Sequence, residues 1–159
     1  MQSFWKTLRG RAIKVSSNCV AFAILFICAT PATAWEFTPG TPCLLTHDAG
    51  SVQVELTYDP SAPLYTIAIT RDVPWQPAPG FLMRFIGPFG LSIGTDRHRL
   101  SNEGRTVSVA DVGFGNVLNG MQFNTAVTAT LGQQSVTLPL NGAEAPVEKF
   151  RACDEIPTS

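Results

Sequence analysis

This chain is poor in the residues that carry chemistry. Its only histidines are His47 and His98, and Asp, Glu, Lys and Arg together make up 14% of 159 residues. No HxH or HExxH spacing offers a metal two ligands from one element, and no CxxCH holds a haem. No GxSxG elbow presents a serine nucleophile. Neither Gly113-Phe114-Gly115 nor Gly87-Pro88-Phe89-Gly90 has the lysine or the strand-to-helix setting of a phosphate loop. The absence of CxxC removes thiol exchange. The apolar run Cys19 to Ala29 is about a dozen residues, short of the ~20 that a membrane-spanning helix needs. Helical periodicity is missing before Asn141. No catalytic, cofactor-binding or metal-ligating set stands out, so a non-enzymatic role without a cofactor is expected.

What is present begins with a leader. Met1 to Lys14 carries Lys6, Arg9, Arg11 and Lys14 and no acid, and the short apolar run follows. Pro31 ends any helix, and Ala32-Thr33-Ala34 places small residues at the two positions a signal peptidase inspects. Cleavage after Ala34 is expected, making residues 1–34 a signal peptide and residues 35–159 one β-sandwich domain that starts at Trp35. An uncleaved anchor is the competing reading, disfavoured by length. Cys28 follows Phe26 and Ile27 where lipidation wants a small residue, and no Arg-Arg pair is present, so a Sec-type route is the default. The expected location is periplasmic or secreted, with no stable membrane span after cleavage.

Loss of the leader changes the charge and the cysteine count. Its four charges are all basic, which leaves seven of the eleven Lys and Arg against all twelve Asp and Glu, a formal charge of −5. Nucleic-acid binding then has no electrostatic basis, because phosphates call for a clustered basic face. The remaining 125 residues suit a single core. Cys19 and Cys28 leave with the leader. In an oxidising compartment the remaining Cys43 and Cys153 most simply form one disulfide, the alternatives being free thiols or an intermolecular bridge.

Alternation sets the fold class. Val52, Val54, Leu56 and Tyr58 alternate with polar residues, and Tyr65, Ile67 and Ile69 share a face after the turn Asp59 to Pro63. Phe81 to Ile86, Phe89 to Ile93 and Thr106 to Ala110 read as further strands. Val127, Ala129 and Leu131 pair with Val136, Leu138 and Leu140 across Gly132 as a hairpin. Asn141 is placed to cap a helix, with Glu144 reaching back to its amide, and Val147 and Phe150 then share the face that precedes Cys153. Thirteen glycines, twelve prolines and short strands predict an all-β, antiparallel sandwich or partly open barrel of seven to nine strands with one short C-terminal helix.

Three segments are candidates for binding an as yet unidentified protein or envelope partner. They are the Pro-Trp loop Val73 to Gly80, the charged crest Thr95 to Arg105, and the glycine-rich loop Asp111 to Gly120. Trp75 either stands exposed for a partner or folds back over the sheet edge, and the second is favoured because large aromatics are mostly buried. The alternative function is a small periplasmic enzyme or metal carrier using His47, Asp48 and His98, with Asp96 as a further ligand. It requires distant loops to converge. Otherwise both histidines are expected at the surface, in polar loops.

The stretch Thr128 to Phe150, TATLGQQSVTLPLNGAEAPVEKF, resembles the C-terminal end of the invasion-associated locus B (IalB-like) family of exported bacterial proteins. Leu138, Leu140, Gly142 and Phe150 carry the resemblance, with Trp35 and Cys43 a looser echo, whereas Ala143 stands where an aromatic is expected. The resemblance implies a periplasmic or secreted β-sandwich from a Gram-negative bacterium, without known enzymatic chemistry and with a role at the host or cell surface. It supplies no site residues.

Overall fold

In the computed structural model, which describes residues 34–155, the alternating segments pair into two antiparallel sheets. Apart from Ala34, the leader lies outside the described residues. One sheet has six strands: β1 (Glu36–Thr38), β2 (Cys43–Asp48), β3 (Val52–Asp59), β4 (Leu64–Arg71), β8 (Thr106–Asp111) and β7 (Arg99–Ser101), in that spatial order. The other has four: β10 (Gln134–Pro139), β9 (Ala126–Leu131), β5 (Phe81–Ile86) and β6 (Ser92–Thr95). The chain crosses between them through the Pro-Trp loop, the crest, and the segment ahead of β9. No closed barrel forms.

Register follows the alternation. Leu45 stands opposite Leu56, Leu56 opposite Ile67, and Ile67 opposite Val109, which puts one apolar row along the inner face of the large sheet. Met83 stands opposite Ala129 and Phe85 opposite Val127 on the small sheet, and all four are buried. Each large aliphatic or aromatic side chain taken out of water contributes about 1.5 to 3 kcal/mol, so the meeting of these faces is the main stabilising term.

Three elements differ from the sequence expectation. The strand count is ten, because the N-terminal arm supplies β1 and the crest supplies β7, each three residues long. The expected strand at Phe89 to Ile93 is shifted to β6, because Phe89 and Gly90 belong to the turn out of β5. The segment expected as a glycine-rich loop contains a helix, α1 (Gly115–Phe123). Val117, Leu118 and Met121 are buried along it, in line with Phe114 at its start. Gly120 lets the helix lie flush on the sheet: a Cβ there would come within 2.6 Å of the Phe85 ring. Asn124, just after α1, fastens the β5–β6 turn by donating to the carbonyls of Phe89 and Gly120 and accepting the Phe89 N–H.

The C-terminal helix, α2 (Glu144–Arg151), is present with Val147 and Phe150 fully buried. Its start differs from expectation. Ala143 occupies the N-cap and no side chain caps the helix, so Asn141 and Glu144 do not form the expected capping box. Gly142, at φ 81°, makes the turn in a region glycine tolerates best. A short 3-10 turn, Ala152–Glu155, follows, and its Cys153 is disulfide-bonded to Cys43 at the start of β2, with Cα atoms 6.3 Å apart. Among the described residues no helix is long and apolar enough to cross a membrane.

Candidate functional site

His47 is not a surface residue. It follows Cys43 and Leu45 on the inner face of β2, is 3% exposed, and lies in a row with Val54, Ile69 and Val107. Trp35 stacks on it at 4.6 Å and 12°, and neither ring nitrogen has a hydrogen-bond partner among the described residues. Asp48 points the other way and accepts hydrogen bonds from the Gly50 N–H and the Gln53 amide. His98 is half-buried between β6 and β7, its ring 6.4 Å from that of Phe81. β2 and β7 are separated by β3, β4 and β8, four strand spacings or roughly 19 Å. The three residues of the enzyme or metal-carrier alternative therefore do not converge. Among the described residues no three His, Cys, Asp or Glu side chains gather as a ligand set.

Trp75 has folded back. It is 2% exposed, its indole N–H donates to the Ile69 carbonyl at 3.3 Å, and the Arg71 guanidinium lies 4.2 Å above its ring. The loop is pinned to both sheets, because the Trp75 N–H donates to Gly104 and the Gln134 side chain bonds to Gln76 and Pro74. Its tryptophan is structural.

The other two candidate segments meet. Crest and glycine-rich stretch close opposite sides of a cleft of about 150 Å³ between the sheets, where β5 and β6 face β8 and the start of α1. Phe81, Met83, Ile93, Val109, Phe114 and Val117 supply its apolar walls, with Ile67 behind them. Thr95, Arg97, Asp111 and Asn116 form the rim. A wider hollow of about 650 Å³ adjoins on the outer face of β8, lined by Leu64, Arg97, His98, Arg99, Ser108 and Ala110. Arg97 belongs to both.

The rim is electrically uneven. Arg97 pairs with Asp111 through a single nitrogen, and its other guanidinium N–H groups find no acceptor among the described residues. Asp111 is fully engaged, with Oδ1 accepting the N–H groups of Val112 and Gly113 and Oδ2 accepting Arg97. Partial burial works to raise the Asp111 carboxyl, but the Val112 N–H, Arg97 and the Gly113 N–H outweigh it and hold the group below its usual value. α1 starts beside this rim with no side-chain cap, so its first N–H groups add to the donors there.

Sequence reading missed two signals here. Phe114, Val117, Leu118 and Met121 keep the i, i+3, i+4, i+7 spacing of a helix, which the surrounding glycines masked. Cys43, Leu45 and His47 keep the alternation of a strand, which puts the histidine inside.

No protein-family model, characterised protein or solved structure matches this chain.

Proposed function

We propose that this chain is an exported, non-enzymatic binding module of the bacterial cell envelope, periplasmic or secreted, as its resemblance to the invasion-associated locus B family implies. The carrying observation is the inter-sheet cleft, an apolar recess with a polar rim. An apolar cavity of roughly 150 Å³ can admit a benzene-sized group. Export is supported by the Cys43–Cys153 bridge, since such bonds persist in oxidising compartments.

Two measurements test the proposal. Intact mass of protein recovered from periplasm or medium is expected to match a chain starting at Trp35. A toluene titration followed by methyl NMR is expected to move Met83, Ile93 and Val117 saturably. A cytoplasmic protein retaining its leader removes the export reading, and unmoved methyls remove the cleft as a binding site.

A further inference from the structure

Resting on the cleft as a binding site, we infer that its ligand is a small carboxylic acid with a compact apolar tail of about four to seven carbons. The tail lies among Met83, Ile93, Phe114 and Val117, and the carboxylate meets the free edge of the Arg97 guanidinium.

Size sets the tail. The recess of about 150 Å³ matches a branched alkyl chain or a single ring and is well below the ~300 to 1,000 Å³ of pockets that enclose drug-sized molecules. Its inner wall offers no polar group to a buried head, so the polar end of a ligand must stay at the rim.

Donor arithmetic sets the sign of the head. An arginine carries five N–H donors in a planar fork, and Arg97 commits one nitrogen to Asp111. With its side chain 66% exposed, it can hold Asp111 on one edge and a second carboxylate on another without breaking the first pair. An ammonium head would have to compete for Asp111, whose two oxygens already serve two backbone N–H groups and Arg97. The surroundings agree. Residues 95–105 hold Arg97, Arg99 and Arg105 against Asp96 and Glu103, in a mature chain whose formal charge is −5. Glu103 is paired with Arg105, and Arg99 has no acidic partner among the described residues. His98, between Arg97 and Arg99 in sequence, lines the same outer hollow. The crest is thus a donor-rich island on an acidic protein, and it borders the apolar-walled cleft.

The test compares 4-methylpentanoate with 4-methylpentanamide and 4-methylpentan-1-ol at pH 7, on the full exported, disulfide-bonded protein, by methyl and amide NMR. All three probes share a tail and differ in the head. The carboxylate is expected to bind at least tenfold more tightly than the amide, to move the Met83 and Ile93 methyls together with the Arg97 side-chain N–H signals, and to weaken with added salt. Arg97→Gln is expected to abolish the carboxylate's advantage over the amide. Arg97 is largely exposed, so its substitution leaves the core intact, and unchanged shifts outside the rim verify that. Equal affinity for acid and amide, or an acid preference that survives Arg97→Gln, overturns the carboxylate inference while the cleft stands. If none of the three, the alcohol included, moves the cleft methyls, both the inference and the binding site beneath it are overturned.

Discussion

The two long edges of the sandwich are built from the same alternating strands and end differently. At the edge where β1 and β2 face β10, Trp35 crosses from one sheet to the other, its ring on His47 and its indole N–H donating to the Pro139 carbonyl at 3.1 Å. α2 then covers β1 and β2, with Phe37 set edge-on to Phe150, and the disulfide ties the turn beyond α2 to β2. At the opposite edge, where β6 faces β8, the side chains at the opening are Thr95, Arg97, Asp111 and Asn116. An ion pair stands there, with the cleft behind it. Stacked sheets lie about 10 Å apart, a gap that a tryptophan fills and an arginine reaching outward does not. One edge is sealed by volume. The other is guarded by an ion pair, which solvent or a ligand can replace.

If volume seals the first edge, Trp35→Ala is the most damaging single change there. It removes the stacked indole and the bond to Pro139, and the expected loss is about 3 to 5 kcal/mol, the range for emptying a large aromatic site. Urea denaturation measures it. A loss under about 1 kcal/mol would mean that α2 alone seals the edge. Replacing Cys43 and Cys153 together by serine comes next. The bridge spans 110 residues, for which the chain-entropy model gives roughly 4 to 5 kcal/mol and experience with small exported domains about 2 to 5. The two-sheet fold is expected to survive at low temperature by circular dichroism, because Val147 and Phe150 hold α2 without the bridge.

Gly120→Ala tests the second edge from behind. Alanine is favoured over glycine by about 1 kcal/mol in an exposed helix. Here its methyl meets the buried Phe85 ring, and the overpacking of about 1 to 3 kcal/mol outweighs that gain. A net loss near 1 kcal/mol is expected, together with weaker toluene binding, because α1 carries Phe114 and Val117 into the cleft. His47→Leu tests whether a polar group matters where the edge is sealed. An apolar side chain in place of an unpartnered buried one is expected to be neutral or to stabilise by up to about 1 kcal/mol. Loss of ligand binding in that variant would show that His47 has a function the geometry does not provide.

Strands were legible because burial on one face writes a period of two into the chain, as in Val52 to Tyr58 and Val127 to Leu131. Trp75 was legible for the cruder reason that a large ring rarely stays in water. α1 was not, because Gly113, Gly115 and Gly120 lower helix propensity, and a nine-residue helix draws its stability from packing on Phe85, which lies far away in sequence. Asn141 misled in the opposite sense: the cap chemistry was present, but Gly142 turns the chain so that the helix starts after Ala143. The cleft was beyond reach. Its walls come from β4, β5, β6, β8 and α1, and no single segment carries its pattern.

The smallest expected effect concerns the guard itself. Asp111 is held below its ordinary value near 3.8, with burial opposing and the Val112 N–H, Arg97 and the Gly113 N–H prevailing. A carboxyl depressed in the folded state contributes stability that is complete above its unfolded value and is lost as pH falls through the folded one. Asp111→Asn should therefore lower the urea midpoint slightly at pH 6, and the gap to the unaltered protein should close as pH falls through the depressed Asp111 value, below which both side chains are neutral. Asp59 gives the control. The Ser61 hydroxyl and N–H depress it in the β3–β4 turn with no cation involved. Salt separates the two: the Arg97 contribution is screened as ionic strength rises, and hydrogen bonds from backbone and hydroxyl are not. The Asp111→Asn gap should shrink in 1 M salt while the Asp59→Asn gap holds. Equal salt response would mean that Arg97 does not hold Asp111 in solution, and the fork on which carboxylate recognition depends would then be wholly open rather than half engaged.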